Sequence, residues 1–337
     1  MKKWSLLCLI CCAGLLLSGC AAELAKRTPE ERIPPPSPGA AVTVAPSAST
    51  ASEPPAAETQ ETAPPAPSDA GLSPSDSLSL GDFPMAFGFA DETGGRLIIT
   101  CYDTGDGPSF DADPNQFTLA VGPYGELVGI RYAEWQEETE QNSYRDTSYN
   151  FGNLPGFVFN AIDGTLRPNQ TYVLTADGPF TDALVTLNPP VPRPDDPYEH
   201  FPPVAMNDGT KDFIRYLKGR GIQWAELLSV TEDGGQIGLI LFEREGDDML
   251  FSIVYLGNDV LFWDCPAEYD EGSTWRVDMG DEPGFFEPLF LARLDNGLVL
   301  ALTWGAPEGE SVIFLYQDRL RFLDIDDYGY VRYWSPL

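Results

Sequence analysis

Residues 225–264 read AELLSVTEDGGQIGLILFEREGDDMLFSIVYLGNDVLFWD. Four apolar runs are divided by Glu232-Asp233-Gly234-Gly235, Glu245-Gly246-Asp247 and Gly257-Asn258-Asp259. Short runs rich in Leu, Ile, Val and aromatic residues, cut by Gly, Asp and Asn, predict strands joined by tight turns. Glu287 to Asp326 follows the same course, with turns at Asp295-Asn296-Gly297, Glu308-Gly309-Glu310 and Gln317-Asp318. Phe242 aligns with Trp304, Tyr255 with Tyr316 and Phe262 with Phe322, at offsets of 62, 61 and 60. Phe87 to Tyr132 gives a looser third copy, with a longer middle loop from Asp103 to Asn115. Each copy reads as a four-strand antiparallel meander of about 40 residues, the size of a propeller blade. The expected fold is therefore all-β, built from meander repeats as a sandwich or propeller. Helical spacing is scarce. One short helix is expected near 210–218, where Phe213, Ile214 and Leu217 form a stripe. Asp208 or Thr210 can cap it, and Gly219 and Gly221 stop it.

Outward from this core, Asn188 to Pro203 is rich in proline and divides the folded part. The expected organisation is an N-terminal β domain (81–190), a Pro-rich connector (191–203) and a C-terminal β-meander domain (204–337). Upstream of the divide, Leu166-Arg167-Pro168 precedes Tyr172. That run resembles the corner of fibronectin type III-like sandwiches, where a Leu-x-Pro turn leads into a tyrosine. Residues 20–80 are rich in Pro, Ala, Ser and Thr, including Pro34-Pro35-Pro36, Pro54-Pro55 and Pro64-Pro65. Such a composition buries too little apolar surface to offset chain ordering, so a disordered tether is expected. At about 60 residues it would reach roughly 190 Å as polyproline II, and nearer 45 Å as a coil.

The N-terminus carries Lys2 and Lys3, then an uncharged run from Trp4 to Leu17. Its length, about 21 Å as a helix, is short of the roughly 30 Å hydrocarbon core of a bilayer. A cleaved export signal over residues 1–19 fits the length and the charge. Leu17-Ser18-Gly19-Cys20 resembles the lipobox of bacterial lipoproteins. The resemblance implies cleavage after Gly19 and a diacylglyceryl group on the Cys20 thiol. It also implies a place on the extracytoplasmic face of a cell membrane. Cys8-Leu9-Ile10-Cys11 has a metal or redox spacing, but it falls inside the signal.

With Cys20 lipidated, Cys101 and Cys265 remain in a compartment that permits disulfides. They can pair, or stay as two buried thiols in apolar strands. The chain of 337 residues holds 52 acidic and 20 basic side chains, a net charge of −32. Residues 81–337 carry 44 of the acids and 15 of the bases, net −29. That field disfavours nucleic acid, which is bound through Lys and Arg. It also leaves the lipid as the expected membrane contact. Cationic ligands or an envelope protein with a basic surface are compatible partners.

Catalytic signatures are missing from the sequence. His200 is the only histidine and lies in the Pro-rich connector, away from any triad pattern. No P-loop, dinucleotide fingerprint or Gly-x-Ser-x-Gly elbow occurs. No catalytic or metal-ligating set and no cofactor is expected, although Asp103-Asp106, Asp111-Asp113, Asp247-Asp248 and Asp324-Asp326-Asp327 supply oxygen ligands of the kind Ca²⁺ uses. Trp263, Trp275 and Trp304 are candidates for stacking on sugar rings. The expected function is a non-catalytic binding or structural module at the cell surface, taking a wall component, a glycan or an envelope protein. The alternative is a carboxylate-based hydrolase of glycans, which needs two acids in a cleft.

Overall fold

The computed structural model describes residues 81, 83–102, 112–192, 202–272, 274–275, 283–325 and 329–334. The signal, Cys20 and the tether lie outside the described residues, as do His200, Asp103, Asp106, Asp111, Asp326 and Asp327. Among the described residues, no helix is long and apolar enough to cross a membrane.

The first half closes on itself. Strands β1 (Met85–Ala90), β2 (Arg96–Thr100), β3 (Leu119–Val121), β4 (Leu127–Gln136), β5 (Gly156–Ala161) and β6 (Thr171–Thr175) form an antiparallel barrel in the order β1-β2-β5-β4-β3-β6. Closure removes free sheet edges. Alternation sorts the side chains: Ala86 and Ala90 of β1 point in beside Leu97, Ile99, Tyr172 and Leu174, while Met85 and Phe87 point out. The small inward residues are required because the strands approach closely. A Cβ on Gly88 would sit 2.5 Å from the Ile98 carbonyl oxygen. Phe87 to Tyr132 is thus part of a barrel rather than a third meander, because β2 pairs with β5 and β3 with β6.

The Leu166–Tyr172 corner forms as its chemistry requires. The buried Tyr172 hydroxyl accepts a hydrogen bond from the Arg167 amide at 2.7 Å. Local turn geometry is satisfied here in a barrel, and the resemblance to a sandwich does not extend beyond the corner.

The second half is a sandwich of two sheets. After α1 (Pro179–Asp182) come two-residue strands β7 (Leu184–Val185) and β8 (Leu187–Asn188), then α2 (Asp208–Lys218). One sheet contains β9 (Ile222–Thr231), β10 (Gln236–Phe242), β11 (Asp248–Leu256) and β12 (Val260–Glu268), with β8 on the β9 edge. The other contains β13 (Phe286–Leu294), β14 (Gly297–Ala306), β15 (Gly309–Asp318) and β16 (Arg321–Asp324), with β7 on the β13 edge. Strand β17 (Tyr330–Tyr333) pairs with β15. Both repeated segments are therefore four-strand meanders, and they face each other across Leu239, Phe251, Ile253, Leu291, Leu300 and Leu315. The outer face of the β13–β16 sheet packs on the barrel through Phe290, Phe314, Val173 and Phe180. Phe87 stacks on Tyr330 with ring centroids 4.9 Å apart.

Helix α2 covers the outer face of the β9–β12 sheet. Asn207, not Asp208 or Thr210, caps it: its side-chain oxygen accepts from the Thr210 amide at 2.9 Å. Gly219 ends it with φ 65°, a left-handed conformation suited to glycine. Of the expected stripe only Ile214 is buried, against Met206, Ile240 and Phe242; Phe213 and Leu217 stay exposed. One buried residue in about three turns suffices because the sheet already buries its other face in the sandwich.

Candidate functional site

Strands β7 and β8 cover only the far ends of their neighbours. Strand β7 pairs with Leu291 and Ala292 of β13, and β8 with Thr231 and Val230 of β9. This leaves Ile222–Ser229 of β9 and Phe286–Phe290 of β13 without a full neighbouring strand. The segment Val204–Met206 lies along β9, with Leu227 donating to the Val204 carbonyl at 2.7 Å. A cavity of about 1410 Å³ opens against these two half-covered edges and the barrel loops. Small-molecule pockets span about 300–1,000 Å³, so this space suits an extended ligand better than a single small solute.

The cavity has two ends. One enters the mouth of the sandwich, lined by Trp224, Glu226, Leu228 and Phe286. Backbone pairing sets the facing. Trp224 pairs with Leu241 and Glu226 with Leu239, so all four side chains share the inner face of the sheet. Glu226 is a carboxylate at an inward position of an apolar strand. Burial holds its carboxyl above the usual carboxylate range.

The other end lies at the seam between the barrel and the β13–β16 sheet. It is lined by Arg145, Asn150, Arg167, Asn169, Glu287, Thr303, Glu310, Arg332 and Trp334. Residues from both faces of the sheet line the cavity, so it runs round the β13 edge. Alternation in β17 turns Tyr330 and Arg332 toward the barrel and leaves Val331 and Tyr333 exposed. Arg332 is 1% exposed and Glu310 8%. Its Nη2 lies 2.9 Å from Glu310 Oε1 and donates to the Asn169 carbonyl at 2.8 Å. Thr171 also donates to Glu310. The Arg332 guanidinium lies over the Phe89 and Trp334 rings, 5.0 Å from each centroid. Its Nε and Nη1 are buried with no hydrogen-bond partner.

The loop between β4 and β5 is fastened to this seam. The Asp146 amide donates to the Tyr333 carbonyl at 2.8 Å, and Tyr102 Oη donates to Asp146 Oδ1 at 3.0 Å. Burial raises the Asp146 carboxyl, while the Tyr102 hydrogen bond and Arg332 pull it back. Asn169, at φ 58°, accepts from the Ser148 amide through its side chain, joining the β5–β6 turn to the same loop.

The residues singled out from sequence fall elsewhere. Trp263, Trp275 and Trp304 do not line the cavity. They surround Phe251, with ring centroids 6.0, 5.1 and 5.8 Å away, and Trp275 Nε1 donates to the Cys265 carbonyl. They therefore pack the sandwich core, and Trp224 and Trp334 are the tryptophans that face the cavity. Cys101 and Cys265 are both free thiols, and the bridge does not form. Cys101 belongs to the barrel core and Cys265 packs against the sandwich core. Burial pushes the Cys101 thiol up to about 11 and also raises Cys265. Asp113 caps a short turn through the Asn115 amide. Among the described residues, no three His, Cys, Asp or Glu side chains gather as metal ligands.

Glu226 carried a readable signal, since Trp224, Glu226 and Leu228 alternate onto one face. Arg332 carried none: its burial depends on β17 reaching back to β15. Comparison of the chain with family models, curated proteins and solved structures finds no match.

Proposed function

We propose that this chain is an extracytoplasmic lipoprotein, held to a membrane by lipid on Cys20, whose folded part binds a glycan of the cell envelope. The observation that carries the reading is the cavity, where the Trp224, Phe286 and Trp334 rings alternate with hydrogen-bonding side chains. Sugar rings present an apolar face and a rim of hydroxyls, and such a lining answers both. The Pro-rich tether lets the folded part search the space around its anchor. The test is calorimetric titration of the mature protein with chitotetraose, combined with an assay for new reducing ends. Saturable binding with no new ends supports the reading. No binding of this or any soluble wall-glycan fragment overturns it.

A second reading is favoured by Glu226. A carboxyl raised by burial inside a cleft is what a glycosidic general acid requires, and Glu287 and Glu310 line the same cavity. Under that reading new reducing ends appear and are lost in Glu226→Gln.

A further inference from the structure

We propose that the seam end of the cavity recognises a carboxylate on the ligand, through Arg167 and Arg332. The proposal rests on the glycan reading and narrows it to an acidic glycan. Arg332 is nine-tenths buried or more, lines the cavity and engages Glu310 and the Asn169 carbonyl through Nη2 alone. Nε and Nη1 have no partner. A buried donor left unpaired carries its full desolvation cost, so a polar acceptor there is strongly favoured. Arg167 lies two residues from Asn169, on the turn that Arg332 holds. It is half-buried, lines the same end, and its guanidinium makes no hydrogen bond or ion pair among the described residues. Arg145 adds a third guanidinium to this wall, against the carboxylates of Glu287 and Glu310. Among the described residues, three guanidiniums thus meet three carboxylates at this end, those of Glu287, Glu310 and Asp146, whereas residues 81–337 as a whole hold 15 basic and 44 acidic side chains.

The overall negative charge does not oppose this recognition at contact range. Charges more than about 8 Å apart in solvent are largely screened at physiological ionic strength, whereas a guanidinium touching a carboxylate is not. Guanidinium and carboxylate match as charge-assisted donor and acceptor. At the other end, Glu226 meets hydroxyls, for which a carboxyl serves as donor or acceptor. An acidic oligosaccharide laid along the cavity would place its carboxylate at the seam and its neutral ring against Trp224.

The test uses the lipid-bearing protein in detergent and three probes: trigalacturonate, its methyl ester, and tricarballylate, which has carboxylates and no sugar ring. The ester keeps the shape and removes the charge. The expected result is a Kd for trigalacturonate about tenfold below that of the ester, the range of one charge-assisted hydrogen bond. Arg167→Gln should weaken trigalacturonate more than the ester and so close most of the gap. Arg332→Gln removes the partner of Glu310 and can unfold the chain. The double variant Arg332→Gln with Glu310→Gln removes both members of the buried ion pair, and should also lose the preference. Equal affinity for acid and ester overturns the carboxylate proposal and leaves the glycan reading standing. A preference that survives both Arg167→Gln and the double variant also overturns it. Tricarballylate binding that depends on Arg167, with neither sugar bound, upholds carboxylate recognition and overturns the glycan reading. Binding of none of the three overturns the carboxylate proposal, and the chitotetraose titration then decides the glycan reading.

Discussion

The barrel and the sandwich solve the same problem differently. Both bury alternating side chains of antiparallel strands, yet the barrel pairs every edge and the sandwich leaves two edges half-covered. The barrel interior is filled by small residues in β1 and closed by the Tyr172 corner. The sandwich core is filled by large apolar residues, with an aromatic cluster around Phe251. Half-covered strands and one inward carboxylate, Glu226, are found at the open edges of the second, and buried charge at its seam with the first. The closed unit acts as a wall and the open unit provides the mouth.

The seam offers the largest way to break this comparison. Arg332→Ala strands the Glu310 carboxylate in a buried site and should cost about 3–5 kcal/mol by urea unfolding. Replacing both, as Glu310→Gln with Arg332→Met, should cost much less, because no buried charge is left alone. If the single and double variants lose the same stability, the ion pair is not what joins the halves. A smaller effect separates the two interiors. Gly88→Ala in the barrel meets backbone at Ile98 and should cost about 1–3 kcal/mol. Gly238→Ala in the sandwich meets the Met206 thioether at 2.7 Å and backbone only at 3.0 Å, at the Glu226 carbonyl, and should cost less. Equal losses would mean that the barrel is no tighter than the sheets.

The resemblance to a sandwich corner illustrates how far local signals reach. Tyr172→Phe leaves the Arg167 amide without its acceptor and should destabilise by about 1–2 kcal/mol, measured against a wild-type melt. The corner was legible because Leu166, Pro168 and Tyr172 are close in the chain. The two meanders of the second half were legible for the same reason: each strand pairs with the next. Their arrangement was not. Phe242, Tyr255 and Phe262 lie on the outer, inner and outer faces of their sheet, while Trp304, Tyr316 and Phe322 lie on the inner, outer and inner faces of theirs. All three aligned pairs therefore point to opposite sides. The side-chain period of a strand is two, so a shift of one residue moves every side chain to the other face. Matching aromatics by offset found the repeat and carried no information on its facing. The barrel was missed because its β2–β5 and β3–β6 pairings skip along the chain. Turn signals do not encode such pairings. The site was half legible: Glu226 by alternation, Arg332 only by the fold.

A pH-dependent effect concerns the thiols. Burial raises the Cys101 thiol from 9.0 to about 11, so the folded chain favours the protonated form. Its stabilising share is fully present below pH 9 and is lost as pH rises from about 9 to about 11. The urea midpoint should fall across that interval, and Cys101→Ala should flatten the fall. A midpoint with the same slope in the variant would assign the loss to other groups, such as Cys265.

The central claim is that the cavity between the half-covered sheet edges and the barrel is the binding site. It is tested most directly by titrating chitotetraose into the wild type, Trp224→Ala and Trp275→Ala side by side. Trp224 lines the cavity, and Trp275 packs on Phe251 away from it. The expected result is binding lost in Trp224→Ala and kept in Trp275→Ala. Binding kept in Trp224→Ala and lost in a folded Trp275→Ala would contradict the account and move the site to the aromatic cluster.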